Sequence, residues 1–172
     1  MKTLRGSLNE FEDEAQSFRD IVRVLHNRRP LPKYVETDKL PDNPTDKDIF
    51  GTSDCALVLC NMYRPKFMHW VSLQRRGNTY VFFDSLGNSL ESLAAKLTHN
   101  QQSLLNWRRG KRLEENRVRI QKFDVHVKTC AAHQAVRLMM RDMSNKSYIH
   151  WIKNGVVDPD ASVSLLTYLE LK

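Results

Sequence analysis

Cysteine is scarce in this sequence, and long apolar runs are absent from it. Its three cysteines form an odd set without a disulfide-like framework, which is typical of a reducing compartment. The pair Cys55 and Cys60 has no second Cys or His pair at finger-type spacing, so no structural zinc site is expected. No apolar run approaches the roughly 20 residues that cross a bilayer, so no membrane-spanning helix is expected.

The first residues also lack the apolar stretch of a signal peptide. The start, MKTLRGSLNEFEDE, becomes acidic where such a peptide would be apolar, so we expect an intracellular protein. Internal repeats and low-complexity segments are absent as well. The 172 residues therefore predict a single domain with a sizeable buried core.

The chain is basic, with a formal net charge of +7. This balance favours a polyanionic partner, and nonspecific nucleic-acid binding through phosphate contacts is one expectation. A solvated face with scattered loop charges is an equal alternative, and no aromatic residues interleave the basic ones as in sequence-specific readers. The densest basic stretch consists of Arg108, Arg109, Lys111, Arg112, Arg117, Arg119 and Lys122.

Hydrophobic patterning divides the domain into an N-terminal helix, an irregular loop and a catalytic core, at 1–29, 30–50 and 51–172. Ser7 and Glu10 have capping-box spacing, and apolar residues recur behind them at helical intervals. The second segment holds four prolines among many Asp, Asn and Thr residues, which predicts a loop without regular structure.

Three short runs rich in β-branched and aromatic residues predict antiparallel strands near 55–61, 68–75 and 79–84. The Arg-Arg-Gly-Asn sequence between the second and third runs predicts a hairpin. A helix is expected over 89–109, and the alternation after it predicts a strand over 117–127.

Two further helices are predicted near the C-terminus. One spans 130–143, with Thr129 as a plausible N-cap, and the other follows the Asp-Pro-Asp sequence at 158–160. The first of them begins at Cys130. A helix N-terminus stabilises a thiolate, the form of cysteine that acts as a nucleophile, whereas a small buried core cysteine is the alternative.

A nucleophilic thiol needs a base and a group that orients the base. His69 opens the second predicted strand and Asp84 ends the third, so the two can face each other across the hairpin. A carboxylate in that position holds an imidazole in one tautomer. Among the other histidines, His133 shares a face with two arginines and is expected in solvent, while His126 lies in a connecting segment; both remain alternative bases.

These fragments together resemble the adenovirus-type cysteine proteases, the adenains, within the wider clan of Ulp1-type cysteine peptidases. The order His, Asp, Cys and the spacings between them are those of the family. The resemblance rests on DCALVLCN, MHWVSL, YVFFDSLGNS and KTCAAHQAVRLMM. It implies an α+β fold with a mixed, mainly antiparallel sheet, flanking helices and a nucleophile at a helix N-terminus.

The resemblance implies that Cys130 is the nucleophile, His69 the base, Asp84 the orienting carboxylate, and Trp70 a packing residue beside the imidazole. The family takes an oxyanion-hole Gln six or seven residues before its cysteine. Here the six-back position is Asp124, and an ionised Asp cannot donate a hydrogen bond. We favour Gln121, nine residues before the cysteine, with a protonated Asp124 as the alternative.

A second departure is Ala131, which follows the cysteine where the family usually has Gly. An alanine there restricts how closely the backbone can approach the oxyanion. The resemblance still implies amide hydrolysis through a thioester acyl-enzyme.

The family further implies that the substrates are capsid or core precursors, cleaved during particle maturation in the host cytoplasm, nucleus or viral factory, and in the virion. No cofactor or metal is expected, although DNA or a peptide activator can stimulate such enzymes. The protein is expected to be a monomer. Alternatives are a deubiquitinase-like or SUMO-protease-like peptidase, and a non-enzymatic basic virion protein that binds nucleic acid.

Overall fold

The computed structural model describes residues 17–27, 29–63, 67–122, 129–155 and 157–171. Three consecutive strands lie in the middle of the chain and three consecutive helices at its end, and a short 3₁₀ turn spans Thr37–Lys39. The helices are α1 (Phe18–Val24), α2 (Asp46–Phe50), α3 (Leu90–Ala94), α4 (Gln101–Arg108), α5 (Cys130–Met139), α6 (Asn145–Lys153) and α7 (Pro159–Leu171). The strands are β1 (Lys33–Glu36), β2 (Cys55–Met62), β3 (Phe67–Arg76), β4 (Thr79–Phe83) and β5 (Arg112–Glu115).

The strands form one five-stranded mixed sheet in the order β1-β2-β3-β4-β5. The central strands β2, β3 and β4 are antiparallel, whereas β1 and β5 run parallel to their neighbours at the two edges. The three predicted central strands are therefore confirmed, as is the mixed α+β architecture in its coarse form. Helices α3 and α4 supply buried residues to one apolar cluster of the sheet, and α1 and α5 supply them to another.

The segment 30–50 is more ordered than its prolines suggest. It holds β1, the 3₁₀ turn and α2, which begins with a capping box between Thr45 and Asp48. Edge strands tolerate such a polar composition because only one side of the strand needs a hydrogen-bonding partner. The expected helix start at Ser7 and Glu10 lies outside the described residues; α1 begins behind Ser17, which forms a capping box with Asp20.

Two other expectations need correction. The helix expected over 89–109 is two helices, α3 and α4, separated by residues 95–100, the last of which, Asn100, has a φ of 53°. The strand expected over 117–127 is absent from its described part, 117–122, and the sheet is instead completed by the charged strand β5. The backbone N–H groups of Ile120 and Gln121 donate to the carbonyl of Ser85, at 2.9 Å and 3.0 Å, rather than to a strand partner.

Helix α5 is buried almost all the way round, from Ala131 to Leu138. The expectation that His133 faces solvent is therefore wrong, because Arg137, which shares its face, is itself buried. The Arg137 guanidinium donates to Asn145 Oδ1 at 3.1 Å and to two backbone carbonyls, and its carbon lies over the rings of Phe83 and Tyr148. A charged side chain can be buried when its donors are satisfied in this way.

Candidate active site

The centre of the candidate site is a buried hydrogen bond between His69 on β3 and Asp84, which directly follows β4. His69 Nε2 and Asp84 Oδ1 are 2.7 Å apart, and both side chains are fully buried. The register pairs Ser72 with Phe83, so Asp84 falls beside Val71, two residues from His69 on the same face. The cross-hairpin contact expected from the sequence thus follows from the pairing of the two strands.

Asp84 is held as an ionised acceptor by the turn that follows it. Its Oδ1 accepts the Leu86 N–H at 2.8 Å, and its Oδ2 accepts the Asn88 side-chain amide at 2.7 Å. Burial raises the pKa of Asp84, but the charge and hydrogen bond of His69, with those donors, lower it below its usual value.

Asn116 fixes the Asp84 backbone from the other side. Its Oδ1 accepts the Asp84 N–H at 2.8 Å, and its Nδ2 donates to the Asp84 carbonyl at 2.6 Å. Asn116 is buried and comes from the chain just after β5. This positioning residue has no signal in the sequence, because Asn is also common in exposed loops.

Gly87 lets the chain around 118–119 approach the turn that carries Asp84. It has a φ of +75°, and a Cβ there would lie 2.7 Å from the Arg119 N and 2.8 Å from the Val118 carbonyl carbon. Gly77, in the β3–β4 hairpin, has a φ of +53° but open space around its Cβ position, which makes it a matched control.

We expect Gly87→Ala to lower the free energy of unfolding by about 2–4 kcal/mol, since it adds a backbone clash to the left-handed strain. Gly77→Ala should lower the free energy of unfolding only by the left-handed backbone strain, about 1–2 kcal/mol. Urea unfolding of both variants measures the difference. Equal losses would contradict a close backbone approach at Gly87.

The two ring nitrogens of His69 differ in their hydrogen bonding: Nε2 is bonded to Asp84, and Nδ1 is not. Burial alone lowers the pKa of His69, but the charge and hydrogen bond of Asp84, together with the Cys130 thiol, raise it to about 10. Nδ1 is buried and has no hydrogen-bond partner among the described residues. The Cys130 thiol at the start of α5 therefore contributes to the raised pKa of the ring, although the two side chains make no hydrogen bond of ordinary geometry.

The pKa shifts predict how this pair contributes to stability at each pH. The folded pKa of His69 lies above its unfolded value of about 6.5, so its contribution is complete below that pH and is lost as the pH rises toward about 10. The folded pKa of Asp84 is depressed, so its contribution is present above about pH 4 and is lost on acidification. The pair therefore stabilises the fold most between about pH 4 and 6.5.

We expect the loss in unfolding free energy caused by Asp84→Asn to be largest at pH 5 and to shrink steadily toward pH 9. Urea titrations of the wild-type protein and the variant at pH 5, 7 and 9 measure it. A loss that is constant or grows with pH would mean that His69 is not held as the protonated partner of Asp84.

Cys130 is the first residue of α5 and is partly exposed. The other two thiols lie on β2, buried, in the strand-packing role expected for them. Cys60 pairs directly across from His69, and burial, followed by the charges of Asp84 and Cys130, raises its pKa well above the usual value. Cys60 is thereby kept as a neutral thiol, so Cys130 is the one cysteine suited to nucleophilic chemistry.

The other predicted site residues are placed as follows. Gln121 is buried, and its Oε1 accepts the Ser85 hydroxyl at 2.7 Å, next to Asp84. Asp124 lies outside the described residues. Trp70 follows His69 on β3, faces the opposite side of the sheet and contacts Tyr34 with ring centroids 5.9 Å apart. Among the described residues, the aromatic ring next to the imidazole is that of Phe67, with ring centroids 5.9 Å apart.

The alternative bases fall elsewhere. His126 lies outside the described residues, whereas His133 is fully buried in α5, with its Nε2 3.0 Å from Asp160 Oδ1. In the part of the chain that the structure describes, no three His, Cys, Asp or Glu side chains gather as a metal-binding group. Nor is any helix there long and apolar enough to cross a membrane.

Comparisons with known proteins add little to this geometry. No family model matches the chain, and no curated protein matches it either. Among solved structures, the chain is similar to ChlaDub1 from Chlamydia trachomatis, with 14% sequence identity and a TM-score of 0.37, over 96% of this chain and 75% of that one. A likeness this weak carries no argument, so the case for a function rests on the residues themselves.

Proposed function

We propose that this protein is a cysteine peptidase of the Ulp1 type, in which Cys130 is the nucleophile, His69 the base and Asp84 the orienting carboxylate. The observation that carries the proposal is the state of the His69 ring. One nitrogen is hydrogen-bonded to a buried carboxylate, and the other is buried with no partner among the described residues, beside a partly exposed thiol at a helix start. This is the arrangement that activates a thiol for acyl transfer.

Acylation begins from a resting state in which His69 already holds the proton of the Cys130 thiol, so that a thiolate lies beside an imidazolium. The thiolate sulfur attacks the substrate carbonyl carbon, a C–S bond forms, and the carbonyl electron pair moves to the oxygen. When this intermediate collapses, the C–N bond breaks, and the imidazolium gives its proton to the leaving amine. Asp84 stays hydrogen-bonded to Nε2 of His69 throughout, so Nδ1 is the nitrogen that takes and gives the proton.

Hydrolysis of the thioester restores the enzyme. The neutral imidazole takes a proton from water, whose oxygen attacks the thioester carbonyl, and the C–S bond then breaks to release the carboxylic acid. The sulfur leaves as a thiolate beside the reprotonated His69. The raised pKa of His69 fits this cycle, because the ring holds a proton in the resting state.

The oxyanion that forms in each half-reaction needs hydrogen-bond donors. Backbone N–H groups at the start of α5 are one source, because Thr129 provides no side-chain cap there. Gln121, fixed by Ser85 beside the catalytic carboxylate, is our candidate for a second donor.

The substrates we propose are proteins, as for other peptidases of this chemistry. The expected roles in capsid maturation, stimulation by DNA or a peptide, nucleic-acid binding, and location in a host cell or virion stay predictions. A deubiquitinase-like or SUMO-protease-like specificity is the alternative, and the substrate assay below separates the two.

The function is tested by incubating the protein with a complex cell lysate and sequencing the new protein N-termini by mass spectrometry. New termini produced by the wild-type protein and absent with Cys130→Ala would support a peptidase, and their flanking residues would give its cleavage motif. Loss of ubiquitin or SUMO conjugates without internal cleavage would point to the alternative specificity. Identical profiles with both proteins would reject peptidase activity.

A further inference from the structure

A second buried carboxylate, Asp160, lies behind the nucleophile. It belongs to the first turn of α7, and its Oδ1 accepts both the Thr129 hydroxyl and the His133 Nε2–H. Its Oδ2 accepts the backbone N–H of Lys122 at 2.9 Å. Asp160 therefore binds the chain on both sides of the segment that leads to Cys130.

The contact with Thr129 is unusual for a residue at that position. Four other described helices begin behind a Ser or Thr whose side-chain oxygen accepts the N–H three residues on, the usual N-cap bond. Those four caps are Ser17, Thr45, Ser89 and Ser144. Thr129 precedes α5 but makes no such bond: its ψ is 3°, whereas the four caps have ψ between 159° and 171°, and its hydroxyl is directed to Asp160.

The first N–H groups of α5 therefore have no acceptor in the Thr129 side chain. They lie next to Cys130, whose thiol is partly exposed. A capping side chain reaches these N–H groups from an extended backbone, so the absence of the cap reflects the ψ of Thr129 together with the hydrogen bond of its hydroxyl to Asp160. The buried Nδ1 of His69, which has no hydrogen-bond partner in the described part of the chain, independently marks this place as the position of a reacting group.

We propose that Asp160 is a positioning residue that withdraws the Thr129 hydroxyl from the start of α5, which leaves the first backbone N–H groups open to the oxyanion formed at Cys130. This inference rests on the proposed function, since it concerns the same acyl transfer. Without Asp160, Thr129 is released to adopt the extended backbone conformation in which its hydroxyl caps α5 and competes with the oxyanion for its donors.

The test is a pair of variants, Asp160→Ala and the double variant Asp160→Ala with Thr129→Val. We expect Asp160→Ala to lower kcat by about tenfold to a hundredfold, as for a partly lost oxyanion donor, with KM within about twofold. The double variant, in which no hydroxyl can cap the helix, should regain about tenfold or more of that loss. Glu170→Gln, at the exposed end of α7, is the control for the charge change and should leave kcat unchanged.

Alkylation of Cys130 by iodoacetamide provides the second measurement, because that reaction forms no oxyanion. Its rate should be the same in the wild-type protein, Asp160→Ala and the double variant, whereas a displaced thiol would alter it. Should the alanine variants not fold, Asp160→Asn is measured instead: it keeps an acceptor oxygen for the Thr129 hydroxyl, so its kcat should stay within about threefold of the wild-type value, and a loss of about tenfold or more would overturn the role of Asp160. Rates are expressed per folded molecule, from the unfolding curve of each variant.

The outcomes separate the two claims. Two results would overturn the role of Asp160 and leave the peptidase proposal standing, provided that the wild-type protein is active. One is a double variant that is no faster than Asp160→Ala, and the other is an alkylation rate that falls in parallel with kcat. A wild-type protein that hydrolyses no substrate and whose Cys130 alkylates as slowly as a free thiol overturns the proposed function, and this inference with it.

Discussion

Cys130→Ala is expected to lower peptide hydrolysis by about 10⁴-fold or more, because the alanine leaves no atom that can form the thioester. The fold should be retained, since Cys130 is partly exposed and its neighbours in α5 are held by their own burial. Hydrolysis of a peptide taken from the N-terminal profiling measures the loss, and circular dichroism reports the fold.

Cys55→Ala is the matched control for the loss of a thiol. Cys55 is buried on β2, away from the His69 face, and its pKa is raised mainly by burial, so its thiol stays neutral. Hydrolysis at near wild-type rates by Cys55→Ala, beside an inactive Cys130→Ala, is the result we expect. Full activity of Cys130→Ala would remove the nucleophile from the proposed mechanism.

Asp84→Asn is expected to lower kcat by about 10³- to 10⁴-fold, the size of effect known for a triad carboxylate changed to an amide. The amide can present an N–H to the His69 ring, which then keeps its proton on the wrong nitrogen, and it no longer supports an imidazolium. KM should change much less, since Asp84 is fully buried and does not reach the substrate.

Asp142→Asn controls for the same change at an exposed position after α5. A combined His69→Ala and Asp84→Asn variant should be no slower than His69→Ala alone, because the two residues act as one unit. If the loss of kcat in the double variant equalled the product of the two single losses, Asp84 would be acting on something other than His69.

The contact between His69 and Asp84 could be predicted because it depends on local features. The alternation of β-branched and aromatic residues and the Gly-containing turn predict two paired strands, and pairing alone brings His69 near Asp84. Cys130 could be placed at a helix start for the same reason, since the boundary is visible in the sequence.

The supporting residues could not be predicted, because each comes from a distant part of the chain. Asn116 reaches Asp84 from beyond β5, and Asp160 reaches Thr129 from α7, across 31 positions of sequence. The burial of His133 could not be predicted, because Arg137 on the same helix face suggests a solvent-exposed face. Only the hydrogen-bonding partners of Arg137 show that this arginine is buried. Strand β5 was missed because its charged residues match an edge strand and give no apolar alternation.

The central claim is that His69 activates the Cys130 thiol, and the alkylation rate of Cys130 at pH 6 tests it most directly. We expect iodoacetamide to modify native Cys130, located by peptide mass mapping, at least about tenfold faster than a free thiol at that pH, because the thiol proton resides on His69. In His69→Ala the rate should fall to that of the free thiol. A wild-type rate equal to the free thiol, unchanged by His69→Ala, would contradict the account.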